Sequence, residues 1–100
     1  MAGIGVSEFS QFGVDPNTGE AVARVPPIVE QVIAAAPGNT APFNTATRFV
    51  RVHNGTAAGV SVAFGTGVTS ATTTNMRLAA NQTEYFMVNA GDQMAVIANA

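Results

Sequence analysis

The chain has 100 residues, four of them Arg and none Lys, with six acidic residues and a formal net charge of −2. This length is typical of one domain with a single core. A negative balance without a basic cluster argues against nucleic-acid binding, because phosphate recognition needs several cations. The absence of cysteine excludes disulfides and thiolate chemistry.

The amino terminus lacks the features of a secretion signal, since residues 1–8 have neither a basic region nor a continuous apolar run. The longest apolar stretch, 32–36, is far too short to span a bilayer. We therefore expect a soluble chain that is made in a cytoplasm and has no membrane partner.

The first predicted element is a turn with strand-like flanks. Residues 9–14 and 20–25 flank Asp15-Pro-Asn-Thr-Gly19, in which Pro presets φ and Gly accepts a left-handed conformation. This pattern predicts either a β-hairpin or an extended arm with one tight turn. Pro26-Pro27 then forms a stiff extended joint.

Residues 28–36 fit two interpretations. Their apolar positions form a helical stripe, yet Pro37-Gly38 ends the segment after nine residues and Ile and Val favour strands. We prefer a strand, with a helix as the alternative. Residues 38–46 have the composition of a loop.

The second half of the chain reads as short alternating strands. Residues 47–53 and 59–65 alternate, and the five residues between them predict a hairpin. Residues 68–75 form a Thr-rich loop or irregular edge. Three more strands are expected at 76–78, 83–88 and 93–98, joined by turns at 79–82 and 89–92.

Together these elements predict an all-β chain. The expected fold is a small antiparallel β-sandwich, of jelly-roll or immunoglobulin-like type, with an extended amino-terminal arm or hairpin. Residues 1–45 would supply the arm or hairpin and a connecting segment, and residues 46–100 the sandwich core, within one structural domain overall.

Few residues suggest chemistry. His53 is the single histidine and ends a strand, Glu84 and Asp92 lie on or beside consecutive strands, and 15–20 departs from a calcium loop at the positions that need Gly and a distal acid. The two sequences at 54–56 and 81–83 that match glycosylation acceptors are read as polar turns. We predict a non-enzymatic protein without catalytic residues, cofactor or metal.

Only 10% of the residues are charged, against roughly 25% in a typical domain. This favours a protein packed against neighbours, the alternative being a monomer made soluble by Thr and Asn. Aromatic side chains in the first half are either anchors for a partner or ordinary core, and Arg is the cation favoured at interfaces. The predicted partner contacts are Phe9, Phe12, Arg24, Phe43, Arg48 and Arg51.

The second half is similar to small structural proteins of tailed bacteriophages. The likeness lies in an Arg-Val-rich strand at 48–52, a small-residue hairpin that leads into 60–65, a Thr-rich loop, the segments 76–78 and 83–88, and a closing apolar strand at 95–97. It covers roughly residues 47 to 98.

The resemblance implies a virion protein that binds the outer surface of a capsid as a decoration or cement protein. Its partners would be the major capsid protein and further copies of itself, with a trimer favoured. The alternatives are a low-copy tail, neck or fibre-associated protein, and a carbohydrate-binding module. On the first reading, deletion of residues 1–26 should leave a folded sandwich that no longer binds shells.

Overall fold

The structure is a computed structural model that describes residues 3–10, 12–14, 21–23, 27–34 and 37–99, with backbone pairing alone described for 12–14 and 21–23. These residues form ten β-strands and no helix. The strands are β1 Ile4–Phe9, β2 Phe12–Val14, β3 Ala21–Ala23, β4 Val29–Ile33, β5 Gly38–Asn39, β6 Phe49–Asn54, β7 Val60–Thr66, β8 Met76–Leu78, β9 Thr83–Met87 and β10 Asp92–Ala98. The predicted all-β class is confirmed.

Eight of the strands form two antiparallel sheets. Sheet I has the order β4-β1-β6-β9, and sheet II has the order β5-β10-β7-β8. The buried apolar side chains that pack between them come from both sheets and from the segment before β6: Ile4, Val6, Phe43, Val50, Val52, Val60, Val62, Leu78, Met94 and Val96. The predicted antiparallel β-sandwich is confirmed.

The strand pairing follows a jelly-roll order. Read from β4 to β10 and then on to β1, the first strand pairs with the eighth, the second with the seventh, the third with the sixth and the fourth with the fifth. This nested pairing is that of a jelly roll, with β1 in the place of the last strand. The Gly55 N–H donates to the Gly3 carbonyl and the Asn99 N–H to the Gly59 carbonyl, so the two ends of the described chain flank one connection.

The predicted hairpin between the strands at 47–53 and 59–65 is wrong. β6 pairs with β1 and β9 in sheet I, whereas β7 pairs with β10 and β8 in sheet II. The connection between them is an arch from one sheet to the other. Val52 and Val60 therefore face the core from opposite sheets and are not on neighbouring strands of one sheet.

The region before residue 46 contributes strands to both sheets. The segment 28–36 contains β4, so the preferred strand is confirmed over the helix. The backbones of β2 and β3 pair antiparallel, as the hairpin interpretation predicts, while the turn at 15–20 lies outside the described residues. The predicted loop 38–46 is irregular except for the two residues of β5, which pair with β10.

β1 is an interior strand of sheet I. It pairs with β4 on one side and β6 on the other, and it buries Ile4 and Val6 in the core. Removal of residues 1–26 would take out this strand and unpair the ladders on both sides. From this topology we therefore expect the truncation to unfold the sandwich, in contrast to the expectation from the sequence.

A matched pair of valines tests the position of the core. Val52 is fully buried, whereas Val32, also in sheet I, is 71% exposed. We expect Val52→Ala to lower the free energy of unfolding by about 2 kcal/mol, because it removes buried methyl groups and leaves a cavity. Val32→Ala should change it by less than about 0.5 kcal/mol. Urea unfolding of both variants measures the difference, and equal losses would contradict the assigned register.

Candidate interaction surface

The outer face of sheet I carries a row of aromatic side chains. Phe9 is paired with Phe49 across β1 and β6, and their rings stack with centroids 5.0 Å apart and planes 9° apart. Tyr85 on β9 continues the row, with its ring centroid 6.2 Å from that of Phe49. Alternation along the strands puts these rings on the face opposite the core, since their neighbours Glu8 and Val50 point inward.

Exposure changes sharply along this row. Phe9 and Phe49 are buried, whereas Tyr85 is 49% exposed and Met87, on the same face of β9, is 76% exposed. β9 is an edge of sheet I, and β8, which the short 79–82 turn joins to it, is an edge of sheet II. β8 carries Met76, which is 52% exposed. We call Met76, Tyr85 and Met87, the exposed apolar side chains of these two edge strands, the β8–β9 edge. Tyr85 and Met87 lie on the outer face of sheet I, and Met76 is paired with the core-facing Val62 in sheet II.

Apolar exposure also occurs at the other side of sheet I. Val32 on β4 and Ile28 just before it are exposed. Charged residues accompany both sides, with Glu30 on β4 and Glu84 on β9. Only the β8–β9 edge combines an exposed aromatic ring with exposed methionines among the described residues.

Two of the predicted aromatic contacts are buried in the structure. Phe43 belongs to the core cluster, and its backbone is fixed by hydrogen bonds to Asp92 and Gly91. Phe9 is buried in its stack with Phe49. The ordinary core interpretation therefore holds for Phe43. Phe9 is buried in a stack on the outer face of sheet I, so neither ring is exposed to anchor a partner.

The other predicted contacts differ in placement. Arg48 is exposed, and its Nη1 donates to the Thr45 carbonyl at 3.3 Å. Arg51 is half-buried on the outer face of sheet I, directly opposite Tyr85 in the register. The side chain of Phe12 and the whole of Arg24 lie outside the described residues. Of the predicted contacts, Arg51 is thus the one that lies next to the β8–β9 edge.

The polar candidates for chemistry are each engaged in local structure. The His53 Nδ1 lies 2.7 Å from the Thr83 hydroxyl, and Glu84 accepts a bond from Gln82. Asp92 accepts bonds from the Thr66 hydroxyl and the Asn89 N–H. Glu84 belongs to sheet I and Asp92 to sheet II, so the suggested carboxylate pair is divided between the sheets.

No pocket and no group of three or more metal-ligating side chains is found in the described part of the chain. Within that part, no helix has the length and apolar character to cross a membrane.

No protein-family model, curated protein or solved structure matches this chain.

Sequence reasoning missed Tyr85 and Met87 as surface residues. The strand 83–88 has apolar side chains on both faces, with Tyr85 and Met87 on one and Phe86 and Val88 on the other. Alternation predicts which residues share a face, but it does not say which face meets the core. Phe86 and Val88 pack against the core, and Tyr85 and Met87 are left at the surface.

One carboxylate is buried and belongs to the framework. Glu8 on β1 is 1% exposed. Its Oε1 accepts bonds from the Asn44 N–H and the Thr47 hydroxyl, both at 2.8 Å, and its Oε2 accepts one from the Gln31 amide at 3.0 Å. Glu8 thereby fastens β4 and the segment before β6 to the central strand β1.

Replacement of Glu8 tests this role. In Glu8→Gln one acceptor oxygen becomes an NH₂ donor, which must face the donors of Gln31 or Asn44. Gln31 cannot rotate its amide without loss of the bond from the Ala41 N–H to its Oε1. We expect a loss of about 1–3 kcal/mol in the free energy of unfolding.

The matched control is Glu30→Gln, which removes the same charge from an exposed position on the neighbouring strand β4. Its effect should stay within about 0.5 kcal/mol. Urea unfolding of the two variants compares them, and coincident midpoints would show that the Glu8 contacts contribute nothing specific.

Proposed function

We propose that this chain is a non-enzymatic virion structural protein that binds the outer surface of a tailed-phage capsid and stabilises it. The observation that carries the proposal is the β8–β9 edge, where one aromatic and two methionine side chains are about half exposed or more on strands that end their sheets. The resemblance of residues 47 to 98 to small phage structural proteins gives the class of partner, the major capsid protein.

The residue types at this edge suit a protein interface. Tyrosine combines a large apolar ring with a polar hydroxyl and is enriched among residues that dominate binding energy. Methionine adapts to irregular partner surfaces because its side chain is flexible and polarizable. Arg51, opposite Tyr85 in the register, adds a directional cation beside them.

The proposed mechanism is stabilisation by mass action. A protein that binds the assembled lattice, and not the free capsid subunit, lowers the free energy of the assembled state by its binding free energy. Many copies on one shell, or a homotrimer that engages several subunits at once, add avidity. Such a role uses no catalytic group and no cofactor.

A low-copy tail, neck or fibre position is the alternative within the same class. Copy number separates the two. Quantitative mass spectrometry of purified particles should give a ratio near one chain per major capsid subunit for a shell-wide protein. A few copies per particle would assign it to the tail or neck, and absence from particles would refute a virion role.

Surface variants test the β8–β9 edge itself. We expect Tyr85→Ser with Met87→Ser to weaken cosedimentation with shells by at least about tenfold, because the variant removes the two exposed apolar side chains that β9 would contribute to the interface. Val32→Ser, at the opposite side of sheet I, should bind like the unaltered chain.

Both variants change exposed side chains, so both should fold, and urea unfolding verifies this before binding is compared. Equal weakening by both variants would argue against a specific edge. Full binding by the double variant would remove the β8–β9 edge from the interface.

A further inference from the structure

The chain contains a single Asn-Gly sequence, Asn54-Gly55, at the start of the arch between β6 and β7. In an Asn-Gly pair the glycine N can attack the asparagine side-chain carbonyl carbon, since glycine has no side chain to obstruct the approach. Asn-Gly is therefore the dipeptide most prone to spontaneous deamidation. In this fold Asn54 is buried and Gly55 is half-buried, at the start of the connection between the two sheets.

Both reacting groups are held by the fold. The Gly55 N–H donates to the Gly3 carbonyl at 2.9 Å. The Asn54 Nδ2 donates to the carbonyls of Ala58, Leu78 and Ala79 at 2.9 to 3.1 Å. Asn54 itself is fully buried. The nucleophile and the leaving amide are thus each hydrogen-bonded to separate backbone acceptors.

The other side of the amide is equally fixed. Its Oδ1 accepts bonds from the Thr56 N–H at 3.0 Å and the Thr56 hydroxyl at 2.6 Å. Because a backbone N–H can only donate, this contact fixes which amide atom is oxygen. The backbone of Asn54 is held too, by bonds with Gln82 and Asn81.

The same fold requires both members of the labile pair. Only a side chain with two N–H donors and a carbonyl acceptor serves the partners of Asn54. A Cβ at position 55 would lie 2.8 Å from the Gly3 carbonyl oxygen, closer than side chains tolerate. The arch therefore requires an Asn-Gly pair, the dipeptide that deamidates most readily once it is exposed.

We infer that Asn54-Gly55 is a deamidation site that is closed in the folded chain, opens on unfolding and, once modified, prevents the arch from forming again. The proposal concerns this chain's own chemistry and stands apart from the capsid role. On this proposal, the fraction of chains that cannot refold increases with the time that they spend unfolded.

The chemistry requires only water. The deprotonated Gly55 nitrogen bonds to Cγ of Asn54, and the bond from Cγ to Nδ2 breaks, releasing ammonia and leaving a cyclic imide. Water then opens the imide at one of its two carbonyls, which gives aspartate or isoaspartate at position 54. No oxidant or reductant takes part.

The product does not fit the site. A carboxylate at position 54 would place an oxygen where the Nδ2 now meets three carbonyl oxygens. Buried acceptors without donors, and a buried charge without a partner, are strongly unfavourable. Isoaspartate in addition lengthens the backbone by one bond at the arch.

The test compares the full-length protein folded in buffer with the same protein unfolded in urea, both at the same mildly alkaline pH and temperature. Samples are digested with a protease at acidic pH, and the peptide that contains position 54 is quantified by mass spectrometry. We expect modification at position 54 to be at least about 10² times slower in the folded protein, because reaction requires opening of the site. Equal rates in the two states would overturn the proposal.

A second measurement follows refolding. After increasing times in urea the chain is diluted into buffer, and size-exclusion chromatography separates the folded monomer or oligomer from misfolded material. Chains modified at position 54 should be depleted from the folded peak and enriched in the remainder. Their presence in the folded peak in unchanged proportion would refute the claim that modification blocks refolding.

Two variants complete the design. Gly55→Ala, measured in urea where the fold is irrelevant, should slow modification at position 54 by at least about tenfold, since the methyl group hinders the attack. Asn54→Asp, made directly, should fail to give the folded peak. Faster modification at another asparagine in urea, or a folded Asn54→Asp protein, would overturn the assignment.

Discussion

The sandwich depends on buried polar side chains where its chain passes from one sheet to the other. Asn54 bonds to the β6–β7 arch and to the turn after β8, Glu8 holds the segment before β6, and Asp92 receives the Asn89 N–H at the turn before β10. Each crossing brings backbone groups to the rim of a small apolar core, where an unpaired group is costly. No buried side-chain nitrogen or oxygen lacks a hydrogen-bond partner in the described ranges.

This use of polar residues affects the surface. Two of the six acidic residues, Glu8 and Asp92, are buried in the framework, and so little charge is left to cover the sheet edges. Natural sheet edges are commonly protected by charged side chains. At β9 the charged residue is Glu84, with Tyr85 and Met87 exposed beside it. An edge of this kind is better suited to a partner than to solvent, which is the physical basis of the proposed capsid contact.

Alternation in the sequence predicted most strands but not their partners. The segment 28–36 was expected as a strand, and it contains β4. The short link at 54–58 predicted a hairpin, but β6 and β7 belong to opposite sheets. The length of a loop is a local property, and it does not show whether the two strands that it joins pair with each other. Both strands have valines on one face. This pattern is compatible with two strands that face each other from opposite sheets as well as with two paired neighbours in one sheet. The fully buried Asn54 stabilises the arch, since its amide donates to Leu78 at the end of β8 and to Ala79 in the turn that follows.

The sequence by itself determined the all-β class, the positions of the main strands and the residues that share a face, because alternation and turn chemistry act over a few residues. Tertiary structure alone decided the jelly-roll pairing, the interior place of β1, the burial of Phe9 and Phe43 and the exposure of Tyr85 and Met87. These depend on contacts between strands distant in sequence. In β9, where both faces are apolar, only the packing of the second sheet selects the face that meets the core.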